Sequence, residues 1–102
     1  MDKGGKTMSN LQKTLLLELK KMGCIAMSMN ASGISFKGMP DVMILCNTVT
    51  IFCEIKELGD RLSKIQRHRI KQLAEQGFMV RMITSQTDIL NTLETVKVIS
   101  RG

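Results

Sequence analysis

Apolar residues recur every three or four positions in three parts of the chain, the spacing that predicts amphipathic helices. The first helix is predicted between Ser9, which suits an N-cap, and Gly23, which suits a stop. The second covers Ser63–Gln76 and ends before Gly77. Their apolar positions are Leu11, Leu15, Leu16, Leu19 and Met22 in the first helix, and Ile65, Ile70, Leu73 and Ala74 in the second.

A third helix is predicted near the end of the chain. Ser85 and Thr87 both suit its N-cap, since each hydroxyl can accept a hydrogen bond from the first turn. The apolar face consists of Ile89, Leu90 and Leu93. The last residues, 96–102 (VKVISRG), fit either an added edge strand or a frayed end.

Short runs of branched or alternating apolar residues predict four strands between the helices. The two residues Asn47 and Thr48 predict a tight turn, which makes the second and third strands an antiparallel hairpin of fixed register. Residues 30–38 (NASGISFKG) are predicted as a loop. The strands are Cys24–Met29, Val42–Cys46, Val49–Lys56 and Phe78–Thr84. The order αβββαβα predicts an α/β fold, a mixed sheet flanked by helices.

A length of 102 residues suits one domain, predicted over residues 9–102 after a flexible tail at residues 1–8. The start, MDKGGKTMSN, lacks the apolar segment of a signal peptide, and no apolar run is long enough to cross a membrane. The three cysteines are flanked by apolar residues and are predicted as buried free thiols in a reducing compartment. An intracellular, cytoplasmic protein is therefore expected.

The net charge of +6 and the pI near 9.6 favour a polyanionic partner such as nucleic acid. With no Trp or Tyr and only three Phe, the phosphate backbone is expected to be contacted rather than stacked bases. A zinc site is not expected, because the chain has one histidine, His68, and no Cys-x-x-Cys pair. The same histidine lies among charged residues without a neighbouring nucleophile, which argues against a serine or cysteine triad.

Two carboxylates stand in the most strand-like segment. The hairpin register places Asp41 directly opposite Glu54, and strand alternation puts Lys56 on the same face. Like charges in that position destabilise a sheet, so they need a partner. One alternative is a salt bridge between Lys56 and Glu54, with Asp41 as a turn residue after Pro40. The other is a divalent cation such as Mg²⁺, which binds carboxylate oxygens and stabilises charge on a phosphate.

Pro40-Asp41 followed by Glu54-Ile55-Lys56 resembles the motif of the PD-(D/E)xK nuclease superfamily. The surrounding residues sharpen this resemblance to the virus-type replication-repair nuclease (VRR-NUC) domain, in a stand-alone minimal form. They are Gly38, the segment 59–63 (GDRLS), Gln66 and Gly77. The resemblance covers nearly the whole chain and implies a restriction-endonuclease-like core and nuclease activity.

Carried over to this sequence, the family's metal ligands are Asp41, Glu54 and the backbone carbonyl of Ile55, with Mg²⁺ or Mn²⁺ as the cofactor. Lys56 takes the place of the catalytic lysine. Gln66 matches a glutamine that supports the active site, with Ser63 as a supporting residue. Ser63 and Gln66 also form a capping-box pattern, so a purely structural role for both stays open.

One position departs from the family. Members often have a glutamate on the first helix that reaches the metal, and the matching position here is near Gln12, with Asn10 as the other possibility. Gln12 shares the apolar face of the helix and is predicted to point inward in a supporting role. Glu18 is the only acid on this helix, but its spacing does not match. The number of metal ions therefore stays open.

The basic residues Lys37, Arg61, Lys64 and Arg67 are predicted to contact the DNA backbone, although a merely solvated face is the alternative. The resemblance implies a structure-specific DNA endonuclease, Holliday-junction-resolvase-like and homodimeric, acting on branched or duplex DNA. The competing hypothesis is a non-catalytic basic DNA-binding module on a nuclease fold. Whether the source is a phage or a cell stays open.

Overall fold

The computed structural model of the chain describes residues 8–29 and 36–101. Most of the predicted tail and of the predicted loop at 30–38 lies outside the described residues, and the single-domain assignment stays a prediction. The helices are α1 (Asn10–Lys21), α2 (Lys64–Glu75) and α3 (Gln86–Arg101), and the strands are β1 (Ile25–Ser28), β2 (Val42–Cys46), β3 (Val49–Ile55) and β4 (Met79–Ile83). The predicted order αβββαβα is confirmed.

The four strands form one mixed sheet in the order β1-β2-β3-β4. The first two pairings are antiparallel and the pairing of β3 with β4 is parallel. The hairpin has the predicted register, with Cys46 opposite Val49, and the turn residues Asn47 and Thr48 have φ of 49° and 69°. Positive φ at both turn positions matches the right-handed twist of the two strands, which fixes their pairing.

Side chains alternate along β3, and this alternation separates the core from the candidate site. Ile51, Cys53 and Ile55 belong to the hydrophobic core that α1 and α3 share with the sheet. Phe52 and Glu54 point to the opposite face, where Glu54 meets a side chain of α2. The buried core residues are Leu15, Leu19, Val42, Ile44, Ile51, Cys53, Ile55, Ile83, Ile89, Leu93 and Val96.

The end of the chain differs from the prediction. Residues 96–101 continue α3 and form neither an edge strand nor a frayed end. Val96 is fully buried, so the helical spacing that begins at Ile89 continues, and the Asn47 side chain donates to the carbonyl of Ile99 at 2.9 Å. This contact ties the last turn of α3 to the hairpin turn.

Two further predictions concern the cap and the apolar face of α3. Ser85 rather than Thr87 caps the helix, because its hydroxyl accepts from the amide of Asp88 and Thr87 lies inside the first turn. Leu90 is 61% exposed, so its assignment to the buried face was wrong. The face that packs inward contains Thr92 instead, whose hydroxyl is satisfied by the carbonyl of Asp88 at 2.9 Å.

Several apolar side chains remain outside the core. Ile25 and Met27 of β1 are 61% and 40% exposed, while Ala26 between them packs against the core. On α2, Ile65 is 41% exposed, and this helix has no fully buried residue. The cysteines are free thiols, but only Cys53 is fully buried. Among the described residues, no helix combines the length and apolarity that a membrane crossing needs.

Candidate active site

Asp41 lies immediately before β2, one step beyond the terminal pair of the hairpin, Val42 opposite Cys53. Extending the register by one residue brings Asp41 opposite Glu54, as the sequence predicts. The Asp41 carboxylate accepts the amide of Ile55 at 2.9 Å, and its backbone carbonyl accepts the amide of Met29 at 2.7 Å. Both strands that flank Asp41 therefore hold it in place.

Glu54 is 1% exposed although it carries a carboxylate. Its Oε2 lies 3.5 Å from the Lys56 ammonium and 3.2 Å from the side-chain amide nitrogen of Gln66, which donates to it. Its Oε1 is buried without a hydrogen-bond partner among the described residues. A buried oxygen that lacks a donor costs free energy, so one half of this carboxylate is unsatisfied.

The electrostatic environment disfavours the charged form of Glu54. Burial, and then the charge of Asp41, raise the pKa of Glu54 to about 7, while the Lys56 ammonium opposes this shift only in part. Glu54 forms a salt bridge with Lys56, which was one of the two alternatives predicted from the sequence. The Lys56 ammonium therefore offsets the burial of Glu54 and the charge of Asp41 only in part.

Gln66 forms two kinds of contact at once. The Ser63 hydroxyl accepts the amide of Gln66 at 3.2 Å, and the Gln66 side-chain oxygen accepts the amide of Ser63 at 2.8 Å, which completes the capping box of α2. The nitrogen of the same side chain reaches Glu54. Gln66 therefore caps α2 and contacts Glu54 in the same conformation, so the capping role and the supporting role do not exclude each other. Whether Gln66 and Ser63 act in catalysis stays a prediction.

Gln12 points inward, as predicted from the apolar face of α1. It is 7% exposed, and its side-chain nitrogen donates to the hydroxyl of Ser28 at 3.2 Å. Ser28 pairs with Val42, the residue after Asp41, so this contact lies at the same end of the sheet as the candidate site. No cluster of three or more His, Cys, Asp or Glu suited to a metal is found in residues 8–29 and 36–101.

The turn ahead of Asp41 involves residues that sequence reasoning missed. The guanidinium of Arg69 donates to the carbonyl of Lys37 at 3.1 Å and stacks over the ring of Phe36, 4.5 Å from its centroid. Gly38 has φ of +81°, and a Cβ there would come within 2.6 Å of the Ile65 carbonyl oxygen. The only signal in the sequence was this glycine, because contacts between the turn and α2 have no spacing pattern.

A comparison with protein families bears on this geometry. The model of the VRR-NUC domain matches residues 6–87, most of the chain. The chain belongs to the VRR-NUC domain family. Membership in this family indicates a nuclease, for which DNA is the implied substrate, and the fold is consistent with the restriction-endonuclease-like core. No curated protein matches the chain.

PD-(D/E)xK-like nucleases such as the VRR-NUC domain generally use divalent metal ions. The residues present fit such an ion, because the unsatisfied Oε1 of Glu54 and the neighbouring carboxylate of Asp41 offer hard oxygen ligands. A cation would also remove the repulsion that raises the pKa of Glu54. With a glutamine at position 12, the described site offers two carboxylates rather than three.

The four basic residues predicted to contact DNA are accessible. Lys37, Arg61, Lys64 and Arg67 are all exposed. Lys37 belongs to the turn before Asp41, Arg61 to the loop after β3, and the other two to the first turns of α2. They therefore lie on the turn before Asp41 and on the loop and helix that follow β3. Their role in DNA binding stays a prediction.

Proposed function

We propose that this VRR-NUC domain is a divalent-metal-dependent, structure-specific DNA endonuclease that hydrolyses phosphodiester bonds. The observation that carries the proposal is the state of Glu54, which is 1% exposed and has an unsatisfied oxygen beside a second carboxylate. Burial of such a pair destabilises a small fold. A bound cation would compensate both carboxylates, whereas the salt bridge to Lys56 offsets their burial and repulsion only in part.

In this mechanism Asp41, Glu54 and the backbone carbonyl of Ile55 would hold Mg²⁺ or Mn²⁺. The ion would supply a Lewis acid that stabilises negative charge on the phosphate. The amide of Ile55 orients Asp41, and the side-chain nitrogen of Gln66 fixes Oε2 of Glu54, so that Oε1 is presented to the ion. These contacts preorganise the ligands before substrate binds.

Lys56 is placed to act on the reacting phosphate. Its ammonium lies 3.5 Å from Glu54 Oε2 and its side chain is 18% exposed, so it is partly shielded from water. In such surroundings a fixed positive charge stabilises developing negative charge better than it does in bulk water. Lys56 would therefore stabilise the transition state or hold the attacking water by donating a hydrogen bond.

The finer proposal is a Holliday-junction-resolvase-like homodimer that cuts branched DNA. One domain of 11.4 kDa offers little surface for a branched duplex, and a two-fold dimer places two sites on two strands. The exposed apolar side chains of β1 and α3 support an interface there. They are Ile25 (61%), Met27 (40%), Leu90 (61%) and Val98 (63%).

The second candidate is a non-catalytic basic DNA-binding module, which the net charge of +6 would support. The Glu54 environment argues against it, because binding a phosphate backbone does not require a buried, unsatisfied carboxylate. Incubation with labelled four-way junction, duplex and single strand, in Mg²⁺, Mn²⁺, Ca²⁺ or EDTA, separates the two. We expect cleavage in Mg²⁺ or Mn²⁺ and little in Ca²⁺, which is larger and accepts looser geometry.

Undiminished cleavage in EDTA would exclude the metal-dependent mechanism. Tight DNA binding without cleavage under any of these conditions would favour the binding module. Light scattering at micromolar concentration, with and without DNA, addresses the assembly. A strict monomer in both states would remove the resolvase hypothesis and leave an enzyme that nicks one strand.

A further inference from the structure

Phe36 is an exposed aromatic side chain in a turn that packs against α2. It is 68% exposed and lies five residues before Asp41. Its carbonyl accepts the amide of Met39 at 3.3 Å, which closes the turn. Gly38 then fits so closely against α2 that a Cβ would lie 2.6 Å from the Ile65 carbonyl oxygen. The backbone below Phe36 is therefore fixed against the helix that carries Gln66.

Arg69 holds the ring from the protein side. Its guanidinium stacks 4.5 Å from the centroid of Phe36, donates to the carbonyl of Lys37 at 3.1 Å and donates to the Gln72 side chain at 2.7 Å. These three contacts engage Arg69 within the protein, unlike the exposed basic residues nearby. Its contribution is to fix an aromatic ring whose surface is mostly in solvent.

The surroundings of this ring are basic and partly apolar. Lys37, the next residue, is exposed. An open pocket of about 380 Å³, lined by Lys64, Ile65 and His68, lies on the part of α2 against which the turn packs. Phosphate contacts alone require charges but no aromatic surface. An aromatic ring beside cationic side chains is the combination that binds unpaired nucleotides.

We infer that Phe36 is a stacking platform for an unpaired nucleobase of the DNA substrate, next to the candidate active site, and that Arg69 is its positioning residue. The identity of the occupant rests on the proposed function. The composition, with aromatics at 3%, predicts phosphate contacts for the surface as a whole. At this turn we add base stacking to that prediction, because Phe36 is the most exposed of the three Phe. A fully paired duplex, whose bases are already stacked, gains nothing from this ring.

The absence of Trp from the sequence makes stacking directly measurable, because Phe36→Trp introduces a single indole. The matched control is Phe78→Trp, since Phe78 is 38% exposed and lies just before β4, whose first residue pairs with Ile51, three positions before Glu54 in β3. Both variants are titrated in EDTA with single strand, four-way junction and blunt duplex of equal length. We expect quenching of the Phe36→Trp fluorescence by single-stranded DNA that exceeds both its quenching by duplex and that of the control.

Affinity supplies an independent readout. Phe36→Leu keeps an apolar side chain but removes the ring, so we expect at least about fivefold weaker binding of single-stranded DNA and unchanged binding of duplex. Arg69→Met should weaken single-strand binding more than Arg101→Met, which removes the same charge from the exposed end of α3. Thermal melts of each variant establish that the fold is intact, which the exposure of Phe36 favours.

Two results would contradict the assignment of Phe36 as a stacking platform. One is equal fluorescence quenching of the two Trp variants by single-stranded DNA. The other is a single-strand affinity of Phe36→Leu within twofold of that of the parent. Because these experiments are done in EDTA, they do not depend on cleavage. A protein that cuts DNA but shows no effect of Phe36→Leu would retain the proposed function and lose this inference. A protein that stacks a base on position 36 but never cuts would retain this inference and lose the endonuclease.

Discussion

The N-termini of α2 and α3 are both capped by a serine, but the two caps have different consequences. In each helix a serine hydroxyl accepts the amide three residues later at 3.2 Å, from Gln66 in α2 and from Asp88 in α3. In each, the side chain of that later residue accepts a backbone amide at 2.8 Å, from Ser63 in α2 and from Thr84 in α3. In α2 the two bonds join the same two residues, Ser63 and Gln66, as in a capping box, whereas in α3 the second bond comes from Thr84, the residue before the cap Ser85.

The difference lies in the chemistry of the third helical residue, which is Gln66 in α2 and Asp88 in α3. The Asp88 carboxylate only accepts, and it also accepts the Thr84 hydroxyl at 2.9 Å. Gln66 is an amide, which has an acceptor for the cap and a donor that remains for Glu54 at 3.2 Å. One donor thus connects an ordinary helix cap to the candidate active site. The caps can be compared by substitutions that change charge and donor capacity separately.

The largest effect on cleavage is expected at Lys56, the other side chain that contacts Glu54. Lys56→Met removes the ammonium that lies 3.5 Å from Oε2, and we expect cleavage to fall by about 10³-fold or more because a preorganised charge is lost. Single-turnover cleavage at saturating DNA measures this change. DNA affinity should stay within a few fold, and cleavage within tenfold of the parent would remove Lys56 from the mechanism.

Gln66→Glu separates the cap from the site contact. The carboxylate can still accept the amide of Ser63, but it cannot donate to Glu54 and adds a third negative charge. We expect cleavage to fall by about 10²-fold, the usual effect of losing one oriented donor, while α2 remains capped. The matched control is Asp88→Asn, which alters the other cap and should leave the cleavage rate unchanged.

Asp88→Ala should lower the stability of the fold without changing the rate of DNA cleavage. It removes the acceptor for the Thr84 amide and hydroxyl, so we expect the free energy of unfolding to fall by about 1 kcal/mol. Gln66→Ala should cost a similar amount and also reduce cleavage. Urea unfolding and cleavage per folded molecule, measured on both variants, test this difference. Equal cleavage loss in both would mean that stability alone explains the Gln66 effect.

The α3 cap should also depend on pH, whereas the neutral α2 cap should not. The hydrogen bonds from Thr84 hold the pKa of Asp88 below its usual range. The folded state thus favours the charged form, so its stabilisation is present above the unfolded pKa and is lost as pH falls through the lowered folded value. The stability advantage of the parent over Asp88→Asn should shrink in urea titrations from pH 6 towards pH 3. A constant difference would contradict this assignment.

The smallest effect on metal-free stability is expected from the same chemical change, Asp to Asn, at Asp41. Asp41→Asn keeps an oxygen that can accept the amide of Ile55 but removes a charge beside Glu54. In EDTA we expect stability to be unchanged or higher by about 0.2–1 kcal/mol, as for a relieved like-charge pair. Stabilisation by Mn²⁺ should disappear, because a ligand stabilises only a fold that binds it. Thermal melts in EDTA and Mn²⁺ measure both effects.

Asp41→Asn and Asp88→Asn should thus change stability in opposite directions at neutral pH. A variant at Asp41 that is clearly less stable in EDTA, yet gains as much from Mn²⁺ as the parent, would show that this carboxylate is structural. Asp41 would then resemble Asp88, a carboxylate that stabilises the fold and binds no metal.

The parts of the fold that depend on neighbours in sequence were predictable. The turn at Asn47 and Thr48 fixes the hairpin register, because a two-residue loop allows one pairing of its strands. The same register brings Asp41 and Glu54 together, so the core of the candidate site follows from a local pattern. The Ser63 cap was equally visible, because its partner is three residues away.

The end of α3 was not predictable in this way. Its valines and isoleucine suit a strand as well as a helix, and helix formation depends on burial of Val96 against the sheet. Leu90 follows the helical period nearly as well as Leu93 does, yet it is 61% exposed. Periodicity gives the width of an apolar face only roughly, and packing decides which residues lie at its border.

By itself, the sequence determined the order of the elements, the register of the hairpin and the family motif, since each depends on spacing along the chain. Only the tertiary structure decided that the Gln66 side chain reaches Glu54, that Gln12 bonds to Ser28, and that Arg69 holds Phe36. These contacts join residues 12 to 33 positions apart. No local periodicity encodes them, because they arise when α1 and α2 pack against the rest of the fold and orient particular side chains.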